Sequence, residues 1–414
     1  MVRAAKNAMK EGARKVLLSL AVVAVTLVMS LAVTEVLLRL FPSMIGINVL
    51  ERFHPELRTA ISQRLGLTTN SDKLLIRSEE RSDGGPNLYI YKPDTTYSMP
   101  PSETDKSYGA VSSIRTDHHG FCNEPGKPSG ERLDILSIGG SIPNCVGVPA
   151  EEIFSAVLEN STGYSVYNLG ANGTGPYEYL ELLRQFGLAF KPRVVIMNIS
   201  EGNDLRDIIY YNDYLDGRGK RFIQKQPMGG LFAVSYAAAF LKSGVKIKVK
   251  QMKRMSGRNF RFTVSVDGET VVMNTANTDR DEAESAQRLS RGELGPELYE
   301  PVIAAFAKLV KEEGFVPVIS YIPGYYTVYD ATIDYEDNSI ADDMRRYSRA
   351  QRAWFEQNAN DHDIAFIDTT PGLQAAAETR PLLYFPSALH MTREGHRVLA
   401  NIMSSAMETL AGGR

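Results

Sequence analysis

The sequence predicts an α/β fold: a three-layer, doubly wound, mostly parallel sheet. An N-terminal transmembrane helix precedes it, and an inserted helix plus β-hairpin interrupts it. Three observations carry this expectation. From Leu133 onward, short and nearly continuous apolar runs alternate with helical stretches. Strands that are apolar on both faces suit a parallel sheet covered by helices on each side. Val16 to Thr34 carries no charged residue, which is close to the roughly 20 apolar residues that cross a bilayer. The stretch from about Leu205 to Arg291 breaks the alternation.

The elements follow in order. Residues 1–15 form a basic tail, with Arg3, Lys6, Lys10, Arg14 and Lys15 against a single Glu11. Positive charge ahead of the apolar run places the N-terminus in the cytoplasm and the rest of the chain beyond the membrane. The span itself is expected over residues 16–41 as an uncleaved signal anchor. It exceeds the usual 7–15-residue apolar core of a cleaved signal peptide, the alternative weighed, by several residues. Residues 42–130 are polar and weakly periodic, and read as a membrane-proximal extension packed on the main domain. "NLYIYKP" within it reads as a strand.

Residues 131–414 form the main domain. Its strand candidates are "LDILSI" (133–138), "SVYNLG" (165–170), "RVVIMNIS" (193–200), "VPVISYI" (316–322) and "IAFID" (364–368). Helix candidates lie between and after them: "PAEEIFSAVLEN", entered through Pro149 and acidic residues, "PYEYLELLRQFGLAF", "PELYEPVIAAFAKLVKEEG" and "TREGHRVLANIMSSAMETL". Proline at the start, with acids in the first turn, opens a helix, and Gly314 is placed to close one. The insertion at about 205–291 contains a helix at "LFAVSYAAAFLKSG" and a hairpin at "RFTVSVDGETVVMN" around Asp267-Gly268. It follows a strand end, so it is expected to overhang the site. The basic run "KIKVKQMKRMSGR" reads as a solvated face, with anionic lipid or polysaccharide as the binding alternative.

Composition narrows the function classes. An apolar fraction of 43% with 23% charged residues provides for a sizeable core. A net charge of −3 with no dominant charge run argues against nucleic acid as a partner. The two cysteines, Cys122 and Cys145, are consistent with a disulfide in an exported protein or with two buried thiols.

Three strand ends carry the residues that could do chemistry, and in such sheets ligands gather there. Ser141 follows Gly139 and Gly140, a candidate nucleophile on a tight turn. "NLGANGTGP" offers the Gly173 N–H as a candidate oxyanion donor. "NISEGNDL" offers the Asn203 side-chain amide. A serine, a backbone N–H and an asparagine amide are what acyl transfer needs around a tetrahedral intermediate. His390, just before the last helix, is the candidate general base. Each signal also occurs in ordinary turns; their order and their placement at successive strand ends carry the reading.

That set resembles the SGNH hydrolases, the GDSL esterase/lipase family, in four blocks: "ILSIGGSIPNCVGV" with Ser141, "YNLGANGTGPYEYL" with Gly173, "VVIMNISEGNDL" with Asn203, and "LHMTREGHRVLA" with His390 and His396. "TDHHGFCNE" and "YIPGYYTVYD" resemble flanking segments of membrane-anchored exported members. The resemblance implies a flavodoxin-like sheet, ester chemistry through an acyl-enzyme, and an oxyanion hole of Ser141, Gly173 and Asn203. Two departures stand out. Gly140 occupies the place of the family's usual aspartate before the serine. The aspartate expected two or three residues before the histidine is absent, since Ala388 and Ser387 stand there. That aspartate fixes the histidine tautomer and stabilises the imidazolium. A backbone carbonyl or the Ser387 hydroxyl is one substitute; Asp368, Asp204 or Glu394 is another; loss of hydrolysis is the third outcome.

The expected activity is that of a serine esterase or acyltransferase, which needs no metal or cofactor. The expected substrate is an ester or acylated glycan of the cell envelope, and the expected setting is the envelope polysaccharide machinery. The rival is a degenerate domain that binds or assembles without turnover. "DHHGFC" (Asp117, His118, His119, Cys122) reads as a non-metal loop rather than a zinc site, which brings ligands from separated pairs. His396 is expected to bond locally and His362 to lie in an exposed loop. The pair Tyr325-Tyr326 fits either a sugar-binding groove or the core edge.

Overall fold

A computed structural model describes residues 2–69, 72–76, 86–126, 132–216, 230–256, 262–266, 268–273, 278–335, 338–387 and 390–412. Asp267 of the hairpin turn, Arg258 of the basic run and Ala388 lie outside the described residues. Packing divides the chain into two compact units, Met1–Thr69 with Lys225–Met255, and Asn70–Gln224 with Ser256–Arg414.

The second unit is built on five strands: β1 (Ile135–Gly139), β2 (Val166–Gly170), β3 (Val194–Ser200), β4 (Val316–Ile322) and β5 (Ala365–Asp368). All pair in parallel, in the order β5-β4-β3-β1-β2. These are the five apolar runs of the sequence, and β1 and β2 are buried at every position. The fold is therefore the expected α/β, doubly wound arrangement. The chain runs outward from β1 to β2, then crosses to β3 on the other side. The crevice above β1 and β3 is thus the switch point where ligands bind in such sheets.

Helix boundaries differ from expectation where the backbone kinks. Ile153 is extended, so only a 3₁₀ turn follows Pro149 and the α-helix runs Phe154–Thr162. The next helix is α-helical over Pro176–Leu182, then passes through a π-turn at Leu183–Gly187. Helix Glu300–Glu313 ends on Gly314 in the left-handed conformation, as expected. The hairpin strands Phe262–Val266 and Glu269–Met273 form, and Ile333–Tyr335 adds a third strand. The sequence reading assigns no element to Ala341–Asp361, yet a 21-residue helix stands there. "NLYIYKP" contributes a strand, Leu88–Ile90, antiparallel to Leu74–Ile76.

Packing ties residues 86–126 into the second unit. Tyr97, Ile114 and Cys122 share an apolar cluster with Cys145, Val148 and Phe385. Cys122 and Cys145 are joined in a disulfide, their Cα atoms 6.0 Å apart, which resolves the alternative left open by the sequence.

The first unit contains helix Val2–Leu40, whose segment Arg14–Leu40 is long and apolar enough to cross a membrane and is exposed over residues 14–33. Helix Pro55–Leu65 and helix Tyr236–Ser256, as far as Met255, belong to this unit. Leu38, Ile45, Leu50, Phe53, Leu57, Ile61 and Ala239 form its small core. The helix expected at "LFAVSYAAAFLKSG" is broken at Ser235, which is extended.

Candidate active site

Ser141 opens the turn that follows β1, two residues beyond the last strand residue, Gly139. The turn is held by buried amides. Asn168 on β2 donates from Nδ2 to the Pro143 carbonyl at 2.9 Å and to the Cys122 carbonyl at 3.2 Å. Asn144 donates to the Gly170 carbonyl at 2.9 Å. Gly140 is required by close approach: a Cβ there would lie 2.6 Å from the Tyr179 hydroxyl oxygen and 3.2 Å from the Thr174 carbonyl. A side chain at this place, such as an aspartate, is thus opposed sterically.

Gly173 lies in the loop after β2 with φ +83. A Cβ there would meet nothing within 4 Å, so the left-handed backbone alone demands glycine. Asn203 lies beyond β3 and caps helix Asp204–Leu215 through its carbonyl, which accepts the Asp207 N–H at 2.9 Å. Its side-chain amide donates to Asp207 Oδ2 at 2.7 Å. His390 precedes the last helix, Arg393–Gly412, and its carbonyl accepts the Phe385 N–H at 2.8 Å.

Ser141, Gly173, Asn203 and His390 come together on the wall of one cavity of about 280 Å³. Arg206, Tyr210 and Tyr211 from helix Asp204–Leu215 and Glu282 from helix Thr278–Ser290 also line it. Parts of the expected insertion therefore reach the site. Tyr325 lines this cavity and Tyr326 a different one, and both are almost fully buried.

The three carboxylates considered as substitutes for the missing aspartate have other partners. Asp204 accepts the Tyr179 hydroxyl at 2.8 Å and the Ser200 N–H at 2.9 Å. Burial pushes its carboxyl well up, although the Ser200 N–H works against that. Asp368 accepts from Arg352 at 2.7 Å and from the Thr370 N–H at 2.9 Å. Glu394 pairs with Arg380 and Arg397. A fourth carboxylate, which the sequence reading did not consider, meets the histidine loop instead. Asp105, buried on the short helix Glu103–Ser107, accepts the Ser387 N–H at 2.8 Å. The Ser387 hydroxyl is also occupied, accepting from the Ser102 hydroxyl at 3.0 Å.

Asp105, Asn168 and Tyr179 are the supporting residues missed in the sequence. Ser102-Glu-Thr-Asp105 signals a helix start, but nothing local to it points at residue 387. His396 differs from expectation. Its Nδ1 accepts the Phe154 N–H at 3.2 Å, across the fold rather than locally. Burial, aided by the neighbouring His390, pulls its pKa down to about 3, so the ring is neutral. His362 caps helix Ala341–Asp361, 3.4 Å from Glu300. Asp117 of "DHHGFC" organises its own loop, accepting from the His119 and Phe121 N–H groups, Asn123 and the Tyr167 hydroxyl.

No family model and no curated protein matches the chain. Solved structures to which it is similar include a protein of the G-D-S-L family from Desulfitobacterium hafniense DCB-2, described as lipolytic. That match has 14% identity and a TM-score of 0.36, over 67% of this chain and 99% of that one. An acetyl xylan esterase matches at 15% identity and a TM-score of 0.35, over 66% and 99% of the two chains. A protein from Parabacteroides merdae ATCC 43184, described as a GDSL-like lipase, matches at 14% and 0.35, over 68% and 98%.

Proposed function

We propose that the chain is an SGNH-type serine esterase or acyltransferase. It is anchored by its N-terminal helix with the catalytic unit outside the cytoplasm, and acts on O-acyl groups of cell-envelope polysaccharide. One observation carries the chemistry: Ser141, Gly173, Asn203 and His390, far apart in sequence, line one cavity at the carboxyl ends of the sheet. The basic tail, the uncharged run that follows it and the Cys122–Cys145 disulfide support the anchored topology, because positive charge favours the cytoplasmic side and disulfides persist outside it. The glycan substrate follows from that location.

In this reading Ser141 Oγ attacks the ester carbonyl as His390 takes its proton. The Ser141 and Gly173 N–H groups and the Asn203 amide face the developing oxyanion. Collapse of the tetrahedral intermediate breaks the C–O bond, and His390 returns the proton to the leaving alcohol. Water or a sugar hydroxyl then attacks the acyl-Ser141 ester by the same route, regenerating the serine. Asp105 positions the loop that carries His390 by holding Ser387. A binding or assembly role without turnover is the second reading, favoured by the other partners held by Asp204, Asp368 and Glu394.

The deciding experiment treats the full chain in detergent with a fluorophosphonate probe, beside Ser141→Ala. Labelling that disappears in the variant supports an activated nucleophile. An unlabelled, folded protein overturns the esterase reading in favour of binding.

A further inference from the structure

Helix Tyr236–Ser256 has two unlike faces. Ala239 and Ser243 are fully buried, and Ala239 joins the core beneath Leu38 and Ile61. Leu241, Val245 and Val249 are 47%, 60% and 45% exposed. Spaced four apart, these three fall within about 80° of one another at about 100° per residue, roughly opposite the buried pair. Lys246 is exposed on one side of the stripe and Lys248 on the other. Lys242 lies over the Phe232 ring at 3.8 Å. The short helix before it, Leu231–Val234, exposes Leu231 and Val234 by 65% and 62%. An apolar stripe rimmed by lysines is the pattern of a helix lying in a bilayer interface, with the lysine stems reaching to the headgroups.

The position of this element fixes its depth. Glu35 accepts the Ser235 hydroxyl and the Ala237 N–H, both at 2.8 Å. Arg39 donates to the Val234 carbonyl at 3.0 Å and stacks over Tyr236. The corner between helices Leu231–Val234 and Tyr236–Ser256 is thus fastened to the end of helix Val2–Leu40. The uncharged run Val16–Thr34 ends one residue before Glu35. Its 19 residues rise about 28 Å, close to the roughly 30 Å hydrocarbon core. Glu35 and Arg39 therefore stand at the water boundary, and the corner stands with them. Phe41 and Met44 are exposed at the same end, by 55% and 60%.

We propose that residues 231–249 lie in the headgroup layer of an anionic bilayer. Leu241, Val245 and Val249 face the acyl chains, and Lys246 and Lys248 meet lipid phosphates. The proposal rests on the anchored reading of the N-terminal helix and adds a second, lipid-selective contact to it. The geometry favours lipid over glycan as occupant, because the exposed face is apolar at its centre and cationic only at its edges.

The test uses the full chain reconstituted in phosphatidylcholine vesicles with or without phosphatidylglycerol. With Cys122 and Cys145 paired, Val245→Cys and Val22→Cys each supply a single thiol for an environment-sensitive fluorophore. Spin-labelled lipids of differing depth are the quenchers. The expected result is deep quenching at position 22 and shallow quenching at position 245, the latter several-fold stronger with phosphatidylglycerol and lost in Lys246→Glu/Lys248→Glu. Quenching at 22 with a water-like probe at 245 overturns this proposal and leaves the anchor intact. No quenching at either position overturns both. A shielded probe at 245 that no lipid quencher reaches assigns the face to a second copy or a glycan, and also overturns it.

Discussion

The Asp105 carboxylate accepts the Ser387 backbone N–H at 2.8 Å, three residues ahead of His390. Asp105 is 2% exposed, and the residues it connects are 282 apart in the chain. No carboxylate stands two or three residues before the histidine, where Ser387 and Ala388 lie, and this contact fixes the Ser387 backbone. Asp105→Ala is expected to lower kcat by about 100-fold, the scale of a one-ångström misplacement, with KM little changed. Asp105→Asn keeps an acceptor oxygen and should restore most of the rate. If the asparagine variant is as slow as the alanine one, the carboxylate charge acts on His390 itself. Steady-state kinetics on an aryl acetate would decide.

A Cβ on Gly140 would lie 2.6 Å from the Tyr179 hydroxyl oxygen, whose O–H already donates to Asp204. Gly140→Ala should destabilise the fold by about 1–3 kcal/mol, the usual cost of overpacking. The loss should shrink in the Tyr179→Phe background, a coupling that denaturant unfolding of both single variants and the double variant would read out.

The disulfide ties the loop at Cys122 to the turn that carries Ser141. Closing a loop of this length stabilises the folded state by about 3 kcal/mol in the chain-entropy model. Cys122→Ser/Cys145→Ser should lower the unfolding free energy by that order, and a reducing agent should reproduce the loss in the parent protein. An unchanged unfolding midpoint under reduction would contradict this.

Two buried groups give stability opposite pH slopes. Burial and the neighbouring His390 hold His396 at about 3 against an ordinary 6.5. The unfolded chain therefore binds the extra proton between those values, and stability falls as pH drops below about 6.5. Glu201 is raised by burial to about 7 from 4.5, against the pull of its Thr327 and Gly324 hydrogen bonds. Its contribution is complete below about pH 4.5 and is lost as pH rises through 7. His396→Asn should flatten the acid limb and Glu201→Gln the upper one. Denaturation midpoints across that pH range, on the parent and both variants, check the signs separately.

The legible part of the molecule was the part written in local pattern. Four of the five strands are buried along nearly their whole length and the edge strand Ala365–Asp368 partly so, which makes their residues largely apolar, and all five runs formed strands. Helix Ala341–Asp361 escaped because its buried face includes Ser348 and Gln351 beside Met344, Tyr347 and Phe355. Its spacing is helical, but polar residues thin the apolar signal that a reader counts.

The sequence by itself determined the alternation of strand and helix, the apolar span, and the candidates Ser141, Gly173, Asn203 and His390, since strand ends and glycine turns are local features. Tertiary structure alone decided that the two cysteines pair, what holds the histidine loop, why residue 140 is glycine, and that helix Tyr236–Ser256 packs with the N-terminal helix. Asp105 with Ser387, Glu35 with Ala237 and His396 with Phe154 are each separated by about two hundred residues or more. Such contacts depend on how elements stack in three dimensions, and neither residue of a pair carries a mark of the other in its own neighbourhood.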